Sequence, residues 1–578
     1  MTDIRRTLLW VVFTMSLVLI WDAWQKHTGH GSLFGGSRPA AAAAGSPPAS
    51  AAIPGATTAS LPGAAGSAAT TAGMPALPPG ATAPKGEQVV ITTDVVKATI
   101  DSVGGSIVRL ELLQHHEQEH KRWYEPLTDL FTASAAKAAP RNVVLFDHTQ
   151  QRQYAAQSGL VTNQAGVSLP NHLSALTVVP GERTLAQGAD EVSVRLEGAT
   201  SGVLFAKTYT FRRGQYTIGV KHELSNQGAA PVASQLYLQL ARDGIAPAGE
   251  SSFYFTFTGP ALYTEASKFQ KVDFKDIAKG AASHVASADS GWVAMVQHYF
   301  ATAWLVQAAG PRTFSTAKDG ESYFIRMLFA LGDVAPGATK THEAVLFAGP
   351  QEEDKLAALA PGLELVKDYG FLTVLSKPLF WLLTQLHGLF GNWGWAIVGL
   401  VVLLKIAFYW LNASAYRSMA KMKSVAPKVA ELKDRYKDKP QEMQQHMMRI
   451  YREEKVNPLG GCLPIFVQMP FFIALYWVLL SSVEMRNAPW IGWIADLAAP
   501  DPFFVLPVLM TLSSLFQVWL NPAPPDPMQA KMMWIMPLAF GIMFFAFPAG
   551  LVLYWLTNNV LSIAQQWLIN KKMGVLGK

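Results

Sequence analysis

One positively charged side chain lies inside an otherwise apolar stretch of this 578-residue chain. Lys405 interrupts the run from residue 393 to residue 410, and a lysine at the centre of a membrane would cost about 2.5–3.5 kcal/mol. A charge kept at such a cost usually has a function, and an ammonium group binds carboxylates and other anionic groups. Lys405 therefore predicts a site that attracts negative charge within a membrane.

More polar residues lie in the apolar stretches that follow Lys405. Lipid offers them no water, so they are expected to contact one another or to line a wet groove. Two alternatives stay open: the amides could form ordinary hydrogen bonds between helices, and Lys405 could extend to the end of its span, about 9 Å away. The polar residues that we expect beside Lys405 are Gln468, Ser513, Ser514, Gln517, Thr557, Asn558 and Asn559.

The sequence lacks the motifs of common enzyme chemistry. It has no phosphate-binding loop and no nucleophile elbow, and Cys462 is its single cysteine. Residues 116–120, HEQEH, match a zinc-protease pattern, but their polar neighbours and the lack of a convincing third ligand favour coincidence. We therefore predict no enzyme activity, no metal, no cofactor and no disulfide within the chain.

The composition places the chain with membrane proteins, since 50% of its residues are hydrophobic and only 15% are charged. Its length also exceeds the roughly 250–300 residues that one hydrophobic core supports. Before the apolar stretch around Lys405 we predict a signal-anchor helix at 1–28, a flexible Ala/Pro/Gly/Ser-rich linker at 29–86, an all-β sandwich domain at 87–350, and a connector with an interfacial amphipathic helix at 351–392.

Charge distribution predicts how the chain crosses the membrane. The loop 412–462 holds eleven Lys or Arg against six Asp or Glu, which places it in the cytoplasm. Both termini, the loop 521–531 and the basic tail 569–578 are then cytoplasmic as well, whereas the loop 483–502 lies outside. With the anchor, the predicted spans number six, the other five being 393–411, 463–482, 503–520, 532–546 and 551–568.

The basic loop 412–462 is predicted to form a hairpin of two helices. We expect the first helix to begin near Pro427, a turn at 438–440 and a second helix that ends near Lys455. Flexible methionines among the basic residues would suit partner proteins or unfolded apolar segments. Alternatively, the hairpin serves only to fix topology. Its predicted partner surface consists of Arg417, Lys421, Lys423, Lys428, Met443, Met447 and Met448.

Several short motifs carry a resemblance to a known family: SMAKM at 418–422, NPLGGC at 457–462, QMP at 468–470, DPM at 526–528 and PAGLVLY at 548–554. On these residues the chain resembles the YidC/Oxa/Alb family of membrane protein insertases. The similarity is strong over 371–572 and looser over the exported domain. A long exported domain after a first anchor is similar to the Gram-negative form of the family.

The resemblance implies a polytopic α-helical protein of the bacterial inner membrane. It implies six transmembrane helices, five of them forming a core around a hydrophilic groove open to the cytoplasm and to lipid. It also implies a periplasmic β-supersandwich and a cytoplasmic helical hairpin. The implied partners are nascent integral membrane proteins, the Sec translocon with its accessory subunits, the ribosome, the signal-recognition-particle receptor and membrane lipids, with no specific nucleic acid.

Two positions depart from the family pattern. The family's groove arginine is matched by Lys405, which keeps the charge but loses the planar five-donor fork. A tyrosine pair of the last span is matched by Tyr554 and Trp555, so one hydroxyl is missing while an aromatic surface remains. The resemblance thus adds both aromatic residues to the predicted groove.

Two other classes of protein compete with this interpretation. An ion-coupled transporter also needs polar groups in the membrane, but its two halves would correspond, and five unequal spans do not divide that way. A membrane-anchored enzyme could use the β domain, since the family's exported fold is similar to that of sugar mutarotases. No carboxylate pair or metal cluster stands out within that domain to assign such a reaction.

Overall fold

The computed structural model describes residues 86–117, 141–149, 151–164, 166–247, 256–436, 440–454, 463–521 and 527–572. The predicted anchor, nearly all of the linker, residues 118–120 of the HEQEH segment, Cys462 and residues 573–578 of the tail lie outside these ranges. A β region comes first and a helical region follows it. The predicted all-β domain and helical C-terminal region are both confirmed.

The first sheet contains nine antiparallel strands in the order β1-β2-β3-β4-β5-β10-β17-β16-β13. Buried and more exposed residues alternate along strands such as β1, as expected for a sheet with one face on a core. The strand bounds are β1 Gln88–Thr92, β2 Val96–Asp101, β3 Ser106–His116, β4 Asn142–His148, β5 Gln153–Val161, β10 Val232–Asp243, β13 Ser287–Ala288, β16 Arg312–Asp319 and β17 Ser322–Val334.

The second sheet also has nine strands, in the order β12-β11-β14-β15-β18-β9-β8-β7-β6. Its inner residues share one large hydrophobic cluster with those of the first sheet, which makes the domain a sandwich. The strand bounds are β6 Thr177–Val178, β7 Glu191–Thr200, β8 Val203–Arg212, β9 Thr217–Asn226, β11 Gly259–Thr264, β12 Lys268–Lys271, β14 Trp292–Gln297, β15 Phe300–Leu305 and β18 Thr339–Pro350.

Within the described ranges, two short helices accompany the sandwich, and eight longer ones follow it or its connector. A second hydrophobic cluster, separate from that of the sandwich, holds most of the longer helices together. The helix bounds are α1 Phe274–Ala278, α2 Glu353–Leu359, α3 Thr373–Phe390, α4 Trp393–Ala407, α5 Tyr409–Arg435, α6 Pro440–Glu453, α7 Leu463–Ser481, α8 Val505–Leu520, α9 Pro527–Phe544 and α10 Ala549–Lys572.

The hairpin differs from its predicted form at its first helix. Helix α5 begins at Tyr409, and Pro427 lies inside it rather than in its first turn. The proline costs one backbone hydrogen bond, but packing of Val425 and Val429 against Tyr451 of α6 keeps this stretch helical. The second helix does begin with a proline, since Pro440 is the first residue of α6.

The helical region presents apolar side chains on its outer surface. On α3 the exposed face carries Val374 and Trp381, 86% and 63% exposed, while the polar side chain of Ser376 is buried. Helix α9 likewise exposes Ile535 and Ile542. Exposed apolar side chains of this kind fit contact with lipid rather than with water.

By length and hydropathy, no one helix among the described residues qualifies alone as a membrane span. One pair qualifies when joined, Trp393–Ala407 with Tyr409–Met422, and it is bent by 68° at the break. Shorter apolar helices cover Val467–Ser481, Val505–Leu520 and Ala530–Phe544. The number of spans therefore stays a prediction.

A buried joint connects the sandwich to the helical region, and the loop after α7 forms much of it. Both carboxylate oxygens of Glu484 accept hydrogen bonds from Lys367 Nζ at 3.2 Å, and the Lys367 side chain is fully buried. Arg486 donates a hydrogen bond of 2.6 Å to the carbonyl of His116 at the end of β3. Val483 is part of the sandwich's own hydrophobic cluster. The loop thus anchors the two regions to each other.

Helix α4 approaches the same loop so closely that only a glycine fits at its second residue. A Cβ atom at Gly394 would lie 2.2 Å from Cδ1 of Trp490. We expect Gly394→Ala to lower the free energy of unfolding by about 1–3 kcal/mol through overpacking. Gly388→Ala on α3 is the matched control, since a Cβ there has nothing within 4 Å and alanine favours a helix. Equal unfolding midpoints for the two variants in denaturant would contradict this packing.

A buried lysine links the two sheets of the sandwich. Lys207 of β8 is 0% exposed, and its ammonium donates hydrogen bonds to the carbonyls of Gly104 and Ser158. The Ser158 hydroxyl bonds to His222 Nε2 at 2.9 Å. Burial without a carboxylate partner lowers the pKa of Lys207 to about 7.

The lowered pKa of Lys207 predicts that the stability of the sandwich depends on pH. Between about pH 7 and pH 10 the unfolded chain binds a proton at this lysine that the folded chain has released. Stability should therefore rise with pH across this range, by up to about 1.4 kcal/mol per pH unit. Calorimetry of the full chain and of Lys207→Met, from pH 6 to pH 9.5, tests this. A constant difference in melting temperature between the two would contradict it.

Candidate functional site

Four of the predicted groove residues meet around one small cavity in the helical region. Lys405 lies in the last turn of α4, Gln468 on α7, and Tyr554 and Asn558 one turn apart on α10. The cavity has a volume of ≈ 20 Å³, which is room for about one water molecule. Its remaining lining is apolar: Val401, Leu404, Phe408, Phe471 and Phe472.

The ammonium of Lys405 is held against helix α10. Its Nζ donates a hydrogen bond of 2.7 Å to the hydroxyl of Ser562. That hydroxyl donates in turn to the carbonyl of Asn558, also at 2.7 Å. The charge is thus directed along the cavity wall, and an ammonium has three donors, so it can still bind an incoming acceptor.

Aromatic rings occupy part of the region in which a wet groove was predicted. Phe408, at the break between α4 and α5, packs edge-to-face on Phe471 with ring centroids 5.1 Å apart. Phe472 packs in the same way on Tyr554 at 5.8 Å. These rings thus form an apolar side of the cavity next to Lys405.

The other predicted groove residues are not among those that line the cavity. Ser513 accepts a hydrogen bond from Asn559 Nδ2 at 3.2 Å, and Ser514 accepts one at 2.9 Å, which ties α8 to α10. Trp555 packs edge-to-face on Phe544 of α9, with centroids 4.5 Å apart. Gln517 of α8 is partly exposed and is not among the residues that line the cavity.

The predicted hairpin surface is only partly on the outside of the hairpin. Arg417, Lys421 and Lys428 are exposed, and Lys428 forms an ion pair with Glu454. Met448 is exposed as well, and Met443 is half-buried. Met447 packs instead against the apolar contact between α5 and α6. The side chain of Lys423 lies outside the described residues.

The cavity offers charge and hydrogen bonds but no set of metal ligands. In the part of the chain that the structure describes, no three His, Cys, Asp or Glu residues are grouped to hold a metal ion. The available chemistry is the attraction of an anionic or polar group by one ammonium, one amide of Gln468, one amide of Asn558 and the Tyr554 hydroxyl. These groups can bind an anionic or polar group.

Two protein-family models cover nearly all of the described residues. A model described as the YidC periplasmic domain matches residues 88–382, which include the sandwich and the first half of α3. A model described as a 60Kd inner membrane protein matches residues 385–575, which include the cavity and the hairpin.

Relatives match the chain from end to end. The membrane protein insertase YidC of Cupriavidus necator is 54% identical over 578 residues, covering 99% of this chain and 98% of the relative. The chain belongs to the YidC family of membrane protein insertases. The YidC of a Janthinobacterium strain is 50% identical and covers 99% of this chain and 100% of the relative. The resemblance drawn from the short motifs is thereby confirmed.

Solved structures were also compared with this member of the YidC family. One described as an active YidC insertase with its first transmembrane domain resolved is 18% identical, with a TM-score of 0.37, covering 82% of this chain and 91% of that chain. A galactose mutarotase-like protein from Lactobacillus casei is 10% identical, with a TM-score of 0.29, covering 45% of this chain and 100% of that chain.

Sequence reasoning missed Ser562 as a partner of Lys405 in this YidC-family chain. Ser562 lies four residues after Asn558, one helical turn away on the same face of α10. This spacing could have pointed to Ser562, because Asn558 was predicted to face the groove. The aromatic lining gave no such signal, since Phe408, Phe471 and Phe472 resemble any other residues of an apolar span.

Proposed function

We propose that this chain inserts proteins into the bacterial inner membrane by receiving their polar ends beside Lys405. The observation that carries the proposal is the position of the Lys405 ammonium. It lines a cavity shared with Gln468, Tyr554 and Asn558, inside a helical region whose outer surface is apolar. Family membership supports the same activity.

The proposed mechanism needs no site for nucleotide hydrolysis. The polar tail of a nascent protein enters the cavity once the rings of Phe408, Phe471 and Phe472 separate, and water that follows lowers the cost of desolvating the tail. Lys405 attracts tails that carry acidic residues. The apolar segment of the substrate then leaves sideways between α7 and α9, and its transfer into lipid drives the reaction.

The membrane potential favours the same direction of movement. Moving one negative charge outward across 100 mV contributes about 2.3 kcal/mol. An acidic tail thus gains both from the potential and from attraction to Lys405, whereas a neutral tail gains from neither.

In this proposal the chain crosses the inner membrane six times, with both termini in the cytoplasm and the sandwich in the periplasm. The basic residues Lys571 and Lys572, exposed at the end of α10, support a cytoplasmic C-terminus. Helix α3 lies in the membrane surface, and its exposed residues Val374 and Trp381 contact lipid. The chain performs no enzymatic reaction and uses no cofactor.

The hairpin is the proposed contact with cytoplasmic partners. Its exposed Arg417, Lys421 and Lys428 would bind the ribosome or the signal-recognition-particle receptor, and Met448 would contact apolar segments. Nascent integral membrane proteins are the substrates. The chain works alone or beside the Sec translocon with its accessory subunits, and it binds no specific nucleic acid.

A depletion experiment tests the proposed function. A Gram-negative host whose own insertase is depleted should regain growth and insertion of a single-span, Sec-independent protein when this chain is supplied. Insertion is measured in spheroplasts as digestion of the substrate's outward tail by protease added outside the inner membrane. An empty plasmid is the control. Failure of the chain to restore insertion, although it is present in the membrane, would contradict the proposal.

A further inference from the structure

The hydroxyl of Ser562 makes two hydrogen bonds. It donates to the Asn558 carbonyl at 2.7 Å and accepts from Lys405 Nζ at 2.7 Å. A serine hydroxyl has one donor and two acceptor positions, so its single donor is committed to the Asn558 carbonyl. Ser562 itself is only 4% exposed.

This arrangement fixes a side chain that is otherwise mobile. Lysine carries a point charge at the end of a flexible stem, unlike the planar fork of arginine. Here the stem extends from the end of α4, directly before the break at Phe408, to a hydroxyl on α10. Without that hydroxyl, the ammonium has rotamers that lead away from Gln468 and Asn558 toward the end of the span.

We propose that Ser562 is a positioning residue that holds the Lys405 ammonium at the cavity and thereby makes the chain selective for acidic tails. The inference rests on the proposed function. The Ser562 hydroxyl donates its proton to the Asn558 carbonyl, so its oxygen lone pairs are left to accept from the ammonium. Selectivity for acidic tails is then set by α4 and α10 together rather than by Lys405 alone.

The test compares two single-span substrates that differ only in whether their short tail is acidic or neutral. Both are inserted by the full chain in depleted cells, and the measured quantity is the ratio of acidic-tail to neutral-tail insertion. We expect Ser562→Ala to lower this ratio about tenfold, the effect of losing a hydrogen bond to a charged group. Ser562→Thr keeps the hydroxyl and should restore the ratio to within about twofold of wild type.

Two controls separate positioning from a purely structural role. Ser481→Ala removes a serine that bonds within its own helix in the same way, to the Trp477 carbonyl at 2.7 Å, but on α7. It should leave the ratio unchanged. In a Lys405→Met background, Ser562→Ala should have no further effect on the ratio, because the group it positions is gone.

Three outcomes would overturn the inference. Equal loss of both substrates in Ser562→Ala would assign Ser562 a structural role, and an unchanged ratio would show that the hydroxyl does not position the charge. A further loss of the ratio in the Lys405→Met background would show that Ser562 acts on something else. If the wild-type chain inserted neither substrate, the proposed function would fail and the inference with it.

Discussion

Replacing Lys405 by glutamate is expected to reduce insertion of an acidic-tailed substrate about a hundredfold. An ammonium and a carboxylate 4 Å apart attract by about 4 kcal/mol at an effective dielectric constant of 20, and the substitution turns this attraction into repulsion. The new carboxylate would also face a cavity that is otherwise lined by amides, a phenol and apolar side chains. Pulse-labelling in depleted cells, followed by digestion of the outward tail with protease added to spheroplasts, measures the effect.

At position 405, the charge of the side chain rather than its shape should determine how much substrate is inserted. Lys405→Arg is expected to keep at least half of the wild-type insertion, because it preserves the charge and a guanidinium N–H can donate to the Ser562 hydroxyl in place of the ammonium. Lys405→Met should give an intermediate value. Insertion by Lys405→Glu at the wild-type level would mean that Lys405 extends to the membrane surface and takes no part in substrate binding.

Removing the carboxylate of Glu484 is expected to destabilise the joint between the sandwich and the helices. Glu484→Ala would leave the fully buried Lys367 ammonium without its ion-pair partner. Breaking a buried pair from one side costs about 3–5 kcal/mol, and the lower end applies because Glu484 is 18% exposed. Unfolding of the purified chain in denaturant, followed by fluorescence, measures the loss.

Matched variants test whether the unpaired charge of buried Lys367 causes the loss of stability. The double change Lys367→Met with Glu484→Leu should recover most of the lost stability, since apolar residues often replace a buried pair without cost. Glu265→Ala breaks the exposed pair with Lys268 and should change little. A loss in Glu265→Ala as large as that in Glu484→Ala would contradict the account of the joint.

Much of the fold could be predicted from local patterns of polar and apolar residues in the sequence. Strand β8, Val203–Arg212, largely alternates between buried and less buried residues, as expected for the predicted all-β domain, and polar residues within apolar runs predicted a shared site for Lys405, Gln468 and Asn558. These patterns suffice because a strand has a period of two and because a polar group in an apolar span requires a partner. Tyr554 came from the family resemblance instead, and it lines the same cavity.

The remaining features depend on how the elements pack. Ser513 and Asn558 are equally polar within their spans, but helix rotation directs Ser513 to Asn559 and Asn558 to the cavity. The pairing of Lys367 with Glu484 joins residues 117 positions apart, which no local pattern encodes. Helix α5 continues through Pro427 because Val425 packs against α6. The sequence could not show this contact, and a proline by itself favours the start of a helix.

Insertion by the purified chain tests the central claim most directly. The full chain is placed in lipid vesicles with no other protein, and a single-span substrate with an acidic tail is synthesised outside them. We predict that the tail becomes protected from protease in vesicles with the wild-type chain and not in vesicles with Lys405→Glu or in empty vesicles. Equal protection in all three would contradict the claim that this chain inserts proteins through the cavity at Lys405.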